Sequence, residues 1–273
     1  PGRFAIQRLM AQMVKEGCTH CVVETTSEGL KQYRHVGVYY DIGVFTNLTP
    51  EHLPSHGGSF ENYTATKPRM FKNLDMIIAN GDDPHADYFL SFPARRKIKF
   101  YKKDFDTSRF KLEILGDFNQ YNALPAIIVG RELGISDADI AHGLENLKVI
   151  PGRMEIIDEG QPFMVIVDYA HEKVSMTYVL ETGRAMSGGQ SNVIVLLGAE
   201  GGGRDKRKRP IMGELVGTMA DYVICSNVDP YNDDPTPIVE DIAVAAEAQG
   251  KVRGKNLFVI EDRRTGIRKA LEL

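Results

Sequence analysis

Two groups of residues in this sequence could do chemistry. The first is the run GAEGGGRDKRKRP from Gly198 to Pro210. Its glycines let backbone N–H groups approach an anion, and Arg204, Lys206, Arg207, Lys208 and Arg209 supply positive charge, so a phosphate or a carboxylate suits it. It is not a Walker A loop, because Gly-x-x-x-x-Gly-Lys-Ser/Thr occurs nowhere in the sequence. The second group is Glu24, His52 and Lys67. A carboxylate and an imidazole can hold a divalent cation, and magnesium prefers oxygen ligands. A lysine ammonium is no ligand, although a carbamylated lysine is an anionic oxygen donor. Cys18-Thr-His-Cys21 has C-x-x-C spacing, but no second pair follows to complete a zinc site.

Composition narrows the setting. The 273 residues are 42% hydrophobic and 26% charged, a globular balance with room for one large or two ordinary domains. A net charge of −4 argues against a nucleic-acid coat, and no aromatic platform flanks the basic run. No apolar stretch has the length of a membrane span. Three cysteines give no disulfide framework, which suits a reducing, cytoplasmic setting. The chain opens on proline and ends inside an apparent helix, so it reads as a piece of something longer.

The elements that must position these residues follow from periodicity. FAIQRLMAQMVKE (4–16) has helical spacing and is closed by Gly17. CVVET (21–25), DIGVFTN (41–47) and MIIAN (76–80) read as buried strands, and KIKFYKK with FKLEIL adds β character between 97 and 115. Helices are expected over 119–133 and 137–147, the latter capped by Ser136. After Pro151 and Gly152 a hairpin turns at Glu159-Gly160, and a new alternation begins. Strands at 163–169, 192–198, 222–226 and 256–261 alternate with helices at 173–186, 209–219, 236–248 and 263–272, which implies a parallel sheet covered on both faces. The fold class is α/β, with a domain boundary near 150. Ligands of such sheets bind outside the carboxyl ends of the strands. The basic run, the Asp168–His171 segment and SNVDPYNDDP (226–235) would then converge on one rim.

Several stretches together resemble the Mur ligases, most closely their UDP-N-acetylmuramoyl-tripeptide synthetase branch (Mur ligase E). The stretches are RLMAQMVKEGCTHCVVETTSEGLKQYR, VFTNLTPEHLPSHGGSFENYTATKPRMF, GDFNQYNALPAI, PGRMEIID, VDYAHE and GGGRDKRKRPIMGE, in the family's order and spread over nearly all of the chain. The resemblance implies the remainder of a central ATPase domain over 1–150, followed by a Rossmann-like ligase domain over 151–273. It implies ATP-dependent amide bond formation through an acyl phosphate, with ATP and Mg2+, in peptidoglycan precursor synthesis. The substrates would be UDP-N-acetylmuramoyl-L-Ala-D-Glu and a free diamino acid, used by a cytoplasmic monomer that engages neither nucleic acid nor membrane.

By position, the resemblance implies that Glu24 and His52 are magnesium ligands and that Lys67 is a carbamylated lysine helping to hold a second magnesium. Ser27 and Arg34 would grip the nucleotide-sugar peptide. Asn119 and Asn122 would lie by the adenine, Arg153 and His171 by the ATP phosphates, and Asp168 by the ribose or the linker region. Arg204 would clamp the carboxylate of the incoming amino acid, with Lys206, Lys208 and Arg209 supporting that pocket or meeting phosphate and Arg207 a solvated charge.

The departures are as informative. The family's phosphate-binding loop and its Gly-Lys-Gly-His-Glu segment do not occur in these residues, so the chain alone is expected not to turn over ATP. Glu28 stands where the family has histidine. Where diaminopimelate-adding members read Asp-Asn-Pro-Arg, this chain has Val228-Asp229-Pro230-Tyr231. A neutral Tyr231 makes no bidentate ion pair with a second carboxylate, which favours L-lysine over diaminopimelate, with Asp229 and Tyr231 at the amino-acid site. The rival readings are a folylpolyglutamate or cyanophycin synthetase of the same fold, and a truncated, non-catalytic paralogue.

Overall fold

The computed structural model describes residues 2–49 and 53–273, and the side chains of all of these except 53 and 54. The chain divides into two compact units: Pro1–Leu112 with Asn119–Asn146, and Glu113–Phe118 with Leu147–Leu273.

The first unit contains α1 (Arg3–Lys15), α2 (Ser27–Lys31), β1 (Ile42–Phe45), α3 (Phe60–Thr66), β2 (Leu74–Asn80), α4 (Ala86–Leu90), β3 (Ala94–Phe100), α5 (Asn119–Glu132) and α6 (Asp137–Asn146). The strands form a parallel sheet in the order β1-β2-β3, with Val44 opposite Ile78 and Ile78 opposite Ile98. Side chains on a strand alternate between faces, so β2 serves two cores. Ile77 and Ala79 pack with Phe45, Phe71 and Phe89, while Ile78 packs with Phe100 and Leu124 of α5. Phe45 and Phe89 stack with ring centroids 4.0 Å apart. Ser136 caps α6 by accepting from the Asp139 N–H at 3.2 Å, as its position suggests.

Two sequence expectations fail in this unit. Residues 21–25 and 110–115 are not strands. Their β-branched and apolar content suits a strand, but a strand exists only where a neighbour completes its hydrogen-bond ladder. Neither segment is paired among the described residues, and Val22 is 101% exposed. Phe110 is buried all the same, by packing against Phe105 and under the Arg131 guanidinium, without a ladder.

The second unit contains β4 (Glu155–Ile157), β5 (Val165–Val167), α7 (Lys173–Met186), β6 (Ile194–Leu197), α8 (Lys208–Met219), β7 (Tyr222–Cys225), α9 (Pro235–Ala248), β8 (Leu257–Val259) and α10 (Arg263–Glu272). A parallel sheet runs β6-β7-β8. Its one face carries Met176 and Leu180 of α7, Met212 and Val216 of α8, and Ile238, Val239 and Ile242 of α9. Contacts of α10 with β6 and β7 include Gly266, whose missing side chain leaves room for Leu196 and Ser226. The helices α8 and α9 approach closely because position 213 is glycine. A Cβ there would lie 2.2 Å from the Ile242 carbonyl oxygen.

One further expectation is corrected here. The 163–169 strand does not extend the parallel sheet. As β5 it pairs antiparallel with β4, Ile166 opposite Ile156, in a separate two-stranded ribbon. The local hairpin turn at Gly160, with φ of +83°, brings β4 and β5 together before any crossover can place β5 beside β6.

Candidate functional site

In the second unit, the loops after β6 and β7 are joined at the carboxyl end of the sheet. The Gly201 N–H donates to the Asp229 carbonyl at 2.9 Å, and the Gly202 N–H donates to Asp233 Oδ2 at 3.0 Å. Glycine is required at these junctions. A Cβ at Gly198 would stand 1.9 Å from the Ser226 carbonyl oxygen, and one at Gly201 would stand 2.2 Å from that of Pro230. Tyr231 has φ of +52° and lays its ring against Gly202, while its N–H donates to Asp229 Oδ1 at 3.3 Å.

The basic run is less cationic toward solvent than its sequence suggests. Asp205 binds the Arg207 guanidinium through both oxygens at 2.9 and 2.8 Å, so Arg207 is an exposed charge that is also paired. Arg209 is buried and turns away from the loop tip, with its NH1 3.0 Å from Asp241 of α9 and its NH2 donating to the Glu200 carbonyl at 3.4 Å. It thereby ties α8 to α9 from beneath the loop. The Lys208 ammonium lies 3.0 Å from Glu200 and 3.7 Å from Glu172. Burial works to raise the Glu200 carboxyl, but Lys208 outweighs it and holds the group below its ordinary value. Arg204 and Lys206 remain on the exposed side of the loop.

The same Lys208 contact reaches the segment after β5. Asp168 accepts from the Met154 N–H at 2.8 Å and the Ala170 N–H at 2.7 Å, so its carboxylate fastens the 150–154 turn to the end of the ribbon. Arg153 lies over the Tyr169 ring at 5.3 Å, and that ring meets His171 edge-on at 5.2 Å. The His171 Nδ1 is 2.9 Å from the Tyr169 carbonyl. A carbonyl only accepts, so the neutral ring carries its proton on Nδ1 and presents Nε2 as an acceptor. Arg153, Asp168 and His171 thus form one group, and Glu172 connects it through Lys208 to the base of the Arg204 loop.

In the first unit, Thr26 caps α2 by accepting from the Gly29 N–H at 3.0 Å, which places Ser27 at the helix start. Ser27 is buried, and its Oγ is 3.1 Å from His56 Nε2. His56 is also buried, edge-on to Tyr63 at 5.2 Å, and the Lys67 ammonium sits over that tyrosine ring at 5.2 Å. Ser27 and Lys67, far apart in sequence, are linked through His56 and Tyr63. Sequence reading singled out neither of these intermediates. The only signal for His56 was its place directly before the Gly57-Gly58 turn in PSHGG. Arg34 is engaged by Gln32 Oε1 at 3.1 and 2.7 Å, and the Asn122 amide donates to buried Asn119 at 2.8 Å.

For magnesium, the described residues fit in part. Glu24 is exposed and offers a hard oxygen donor. His52 lies outside the described residues. Lys67 as an ammonium is attracted to the Tyr63 face, whereas a carbamate there would bring negative charge to the negative face of the ring. No three histidine, cysteine or carboxylate side chains gather at metal-binding spacing among the described residues. Among them, too, no helix is long and apolar enough to cross a membrane.

Comparison with known proteins identifies the family. Residues 1–108 match the Mur ligase middle domain, and residues 152–273 match the Mur ligase glutamate ligase domain. The chain is 35% identical to a UDP-N-acetylmuramyl-tripeptide synthetase of Roseiflexus sp. (strain RS-1), over 97% of this chain and 59% of that protein. It is 32% identical to a UDP-N-acetylmuramoyl-L-alanyl-D-glutamate--2,6-diaminopimelate ligase of Halalkalibacterium halodurans, over 100% of this chain and 60% of that one. A solved structure of a ligase bearing that second name aligns with a TM-score of 0.58 at 28% identity, covering 100% of this chain and 60% of that one. A folylpolyglutamate synthase of Mycobacterium tuberculosis, complexed with ADP, shares the fold with a TM-score of 0.65 at 15% identity, over 89% of this chain and 58% of its own. The chain spans about 60% of the length of the curated relatives it matches. It belongs to the Mur ligase family, and carries that family's α/β middle and C-terminal domains.

Proposed function

We propose that the polypeptide carrying this Mur ligase chain is an ATP-dependent amide ligase of peptidoglycan precursor synthesis. It would join a diamino acid to UDP-N-acetylmuramoyl-L-Ala-D-Glu. The substrate carboxylate takes a phosphoryl group from ATP, the free amine attacks the acyl phosphate, and inorganic phosphate leaves. The protein's work in such a reaction is to hold the reactants in line and to neutralise phosphoryl charge.

The observation that carries this reading is the join between the two loops at the sheet's carboxyl end, Gly201 N–H to Asp229 carbonyl. It holds the Arg204 loop and the Asp229–Tyr231 turn on one rim, where an amino acid can be gripped by carboxylate and side chain together. Arg204 takes the carboxylate, as a planar fork suited to it, and Lys206 adds charge. Arg153 faces the phosphates of ATP, and so does His171 when its ring is protonated and Nε2 donates, while Asp168 holds their turn in place near the ribose. Asn119 and Asn122 lie by the adenine. Ser27, ordered by His56, and Arg34 hold the peptide substrate. Glu24 and His52 are the magnesium ligands, joined by Lys67 if it leaves Tyr63 and is carbamylated. Magnesium, when bound, neutralises phosphate charge.

The amino acid is L-lysine in preference to diaminopimelate, because position 231 carries a neutral phenol where a second carboxylate would need a guanidinium. Several relatives named for diaminopimelate favour the other amino acid, so the deciding experiment is a substrate panel on the complete polypeptide. ADP release would be followed with UDP-N-acetylmuramoyl-L-Ala-D-Glu, ATP and each amino acid in turn. Lysine should be used best, and Arg204→Ala should raise the KM for it by roughly tenfold or more, the loss of one charged hydrogen-bonded contact. Preference for diaminopimelate overturns the amino-acid assignment, and no ADP with any amino acid overturns the ligase reading. The 273 residues alone, which contain no Walker A sequence, should release no more ADP than a Lys67→Ala control.

A further inference from the structure

A set of cations in the first unit has no part in the chemistry above. Lys31 at the end of α2, and Arg69 and Lys72 just beyond α3, are all exposed. Several arginines elsewhere in the chain, among them Arg96, Arg131, Arg184 and Arg253, sit within 4.0 Å of a carboxylate. Among the described residues, no carboxylate comes within that distance of Lys31, Arg69 or Lys72.

The surface beneath them is concave. A cleft of 390 Å³ is lined by Lys31, His56, Asn62, Thr66 and Arg69. A second, of 340 Å³, is lined by Arg69, Phe71, Lys72 and Phe92. Ala65 and Arg69 line both, so the two clefts adjoin at these residues. That guanidinium lies over the Tyr33 ring at 5.9 Å, with Tyr33 held at φ of +59°. Beside it, the Nδ1 of His35 is buried without a hydrogen-bond partner. Burial, followed by the charges of Arg69 and Lys72, keeps this imidazole below its ordinary value, as expected where like charges crowd without a counter-ion.

We propose that the joined clefts are a binding site for an oxyanion group, phosphate or carboxylate, gripped by Arg69 with Lys31 and Lys72 on either side. Like charges held together around a concavity repel one another, and an anion in their midst relieves that repulsion. A guanidinium fixed over an aromatic ring keeps its N–H edges available for a two-pronged contact with such a group. The site rests on these cations and clefts and does not depend on the ligase reading.

The test is calorimetric titration of the full chain with inorganic pyrophosphate at low salt. Binding should be measurable, and Arg69→Ala or Lys72→Ala should each weaken it by roughly fivefold or more. Both side chains are exposed, so an unchanged thermal midpoint checks that the variants are folded. Lys255→Ala, which removes an exposed cation of the other unit, should change nothing. Competition then separates the sources: displacement by UDP identifies a nucleotide phosphate, and displacement by L-Ala-D-Glu identifies peptide carboxylates, either of which supports the site. Absence of pyrophosphate binding, or equal weakening by Lys255→Ala, overturns it.

Discussion

The substitution Gly201→Ala isolates the contact on which the proposed amino-acid site depends. The backbone of Gly201 is outside the left-handed region, so alanine is conformationally allowed and only space opposes it. A Cβ would stand 2.2 Å from the Pro230 carbonyl oxygen and 2.9 Å from its carbon. Those are backbone atoms, which cannot rotate away as a side chain can. To fit the methyl group, the two loops must part by about 1 Å, since ordinary Cβ contacts begin near 3.4 Å. The Gly201 N–H to Asp229 carbonyl bond, now 2.9 Å, would then be stretched beyond useful length. Overpacking of this kind costs about 1–3 kcal/mol, and the lost hydrogen bond adds about 1 kcal/mol. With roughly 2–4 °C per kcal/mol for a chain of this size, the thermal midpoint should fall by roughly 4–16 °C. The control is Gly203→Ala in the same loop. Nothing lies within 4 Å of its Cβ, and only its φ of +79° is at issue. Backbone strain there should cost about 1–2 kcal/mol, less than the clash at Gly201. In the complete enzyme, Gly201→Ala should raise the amino-acid KM while leaving the KM for ATP alone. An unchanged midpoint for Gly201→Ala, or a drop no larger than that of Gly203→Ala, would refute the reasoning.

Three further outcomes are expected. Gly183→Ala in α7, where nothing lies within 4 Å, should stabilise the chain by about 0.5–1 kcal/mol, whereas Gly213→Ala in α8 should destabilise it by about 1–3 kcal/mol, because its Cβ meets the Ile242 carbonyl; urea unfolding of both checks the opposite signs. Cys225 is buried and its thiol is pushed up to about 12, so a thiol reagent at pH 8 should titrate Cys18 and Cys21 in the native chain and Cys225 only after unfolding. The Asp137 carboxyl is held down to about 2 by its hydrogen bonds to Arg131 and Arg109, against 3.8 unperturbed. A depressed carboxyl stabilises the fold above its unfolded value and loses that contribution as pH falls toward the folded one. Asp137→Asn should therefore flatten the stability profile between about pH 4 and 2 and change its shape little above pH 5, as read by acid titration of unfolding.

The longer helices were legible because their signals are local, whereas the short helices α2, α3 and α4 were not read from the sequence. The residues of α7 could be read from spacing alone, and Ser136 announces α6 by a hydrogen bond to a residue three positions away. Strands were legible only where a partner also existed. CVVET has the content of a buried strand, yet what decides its state is a ladder that the segment cannot encode by itself. The case of β5 is subtler. The strand was readable, but its sheet was not, since a turn at Gly160 and a crossover through α7 both propose a neighbour and the shorter connection prevails.

The candidate site shows the same division. That the loops after β6 and β7 gather at one end of their sheet follows from the rule for parallel sheets, whereas the segment after β5, which belongs to the ribbon, meets them through Glu172 and Lys208, which that rule does not supply. The fate of each charge does not follow. Five cations in six positions look like one cationic surface, but Asp205, two residues from Arg207, removes that charge locally, and Asp241, thirty-two residues from Arg209, takes another by way of the α8–α9 packing. Lys208 is spent on two carboxylates that no spacing rule would select. Arg204 and Lys206 are what the fold leaves facing outward. In the first unit the reverse holds: Lys31, Arg69 and Lys72 are scattered in sequence and form no basic run, yet the fold sets them around adjoining clefts with no carboxylate within 4.0 Å among the described residues, Lys31 donating instead to the Ser55 carbonyl. Positive charge available to a ligand is thus a property of pairing in three dimensions. In this chain the densest basic sequence lies in one unit, and the cations around the adjoining clefts, with no carboxylate beside them among the described residues, lie in the other.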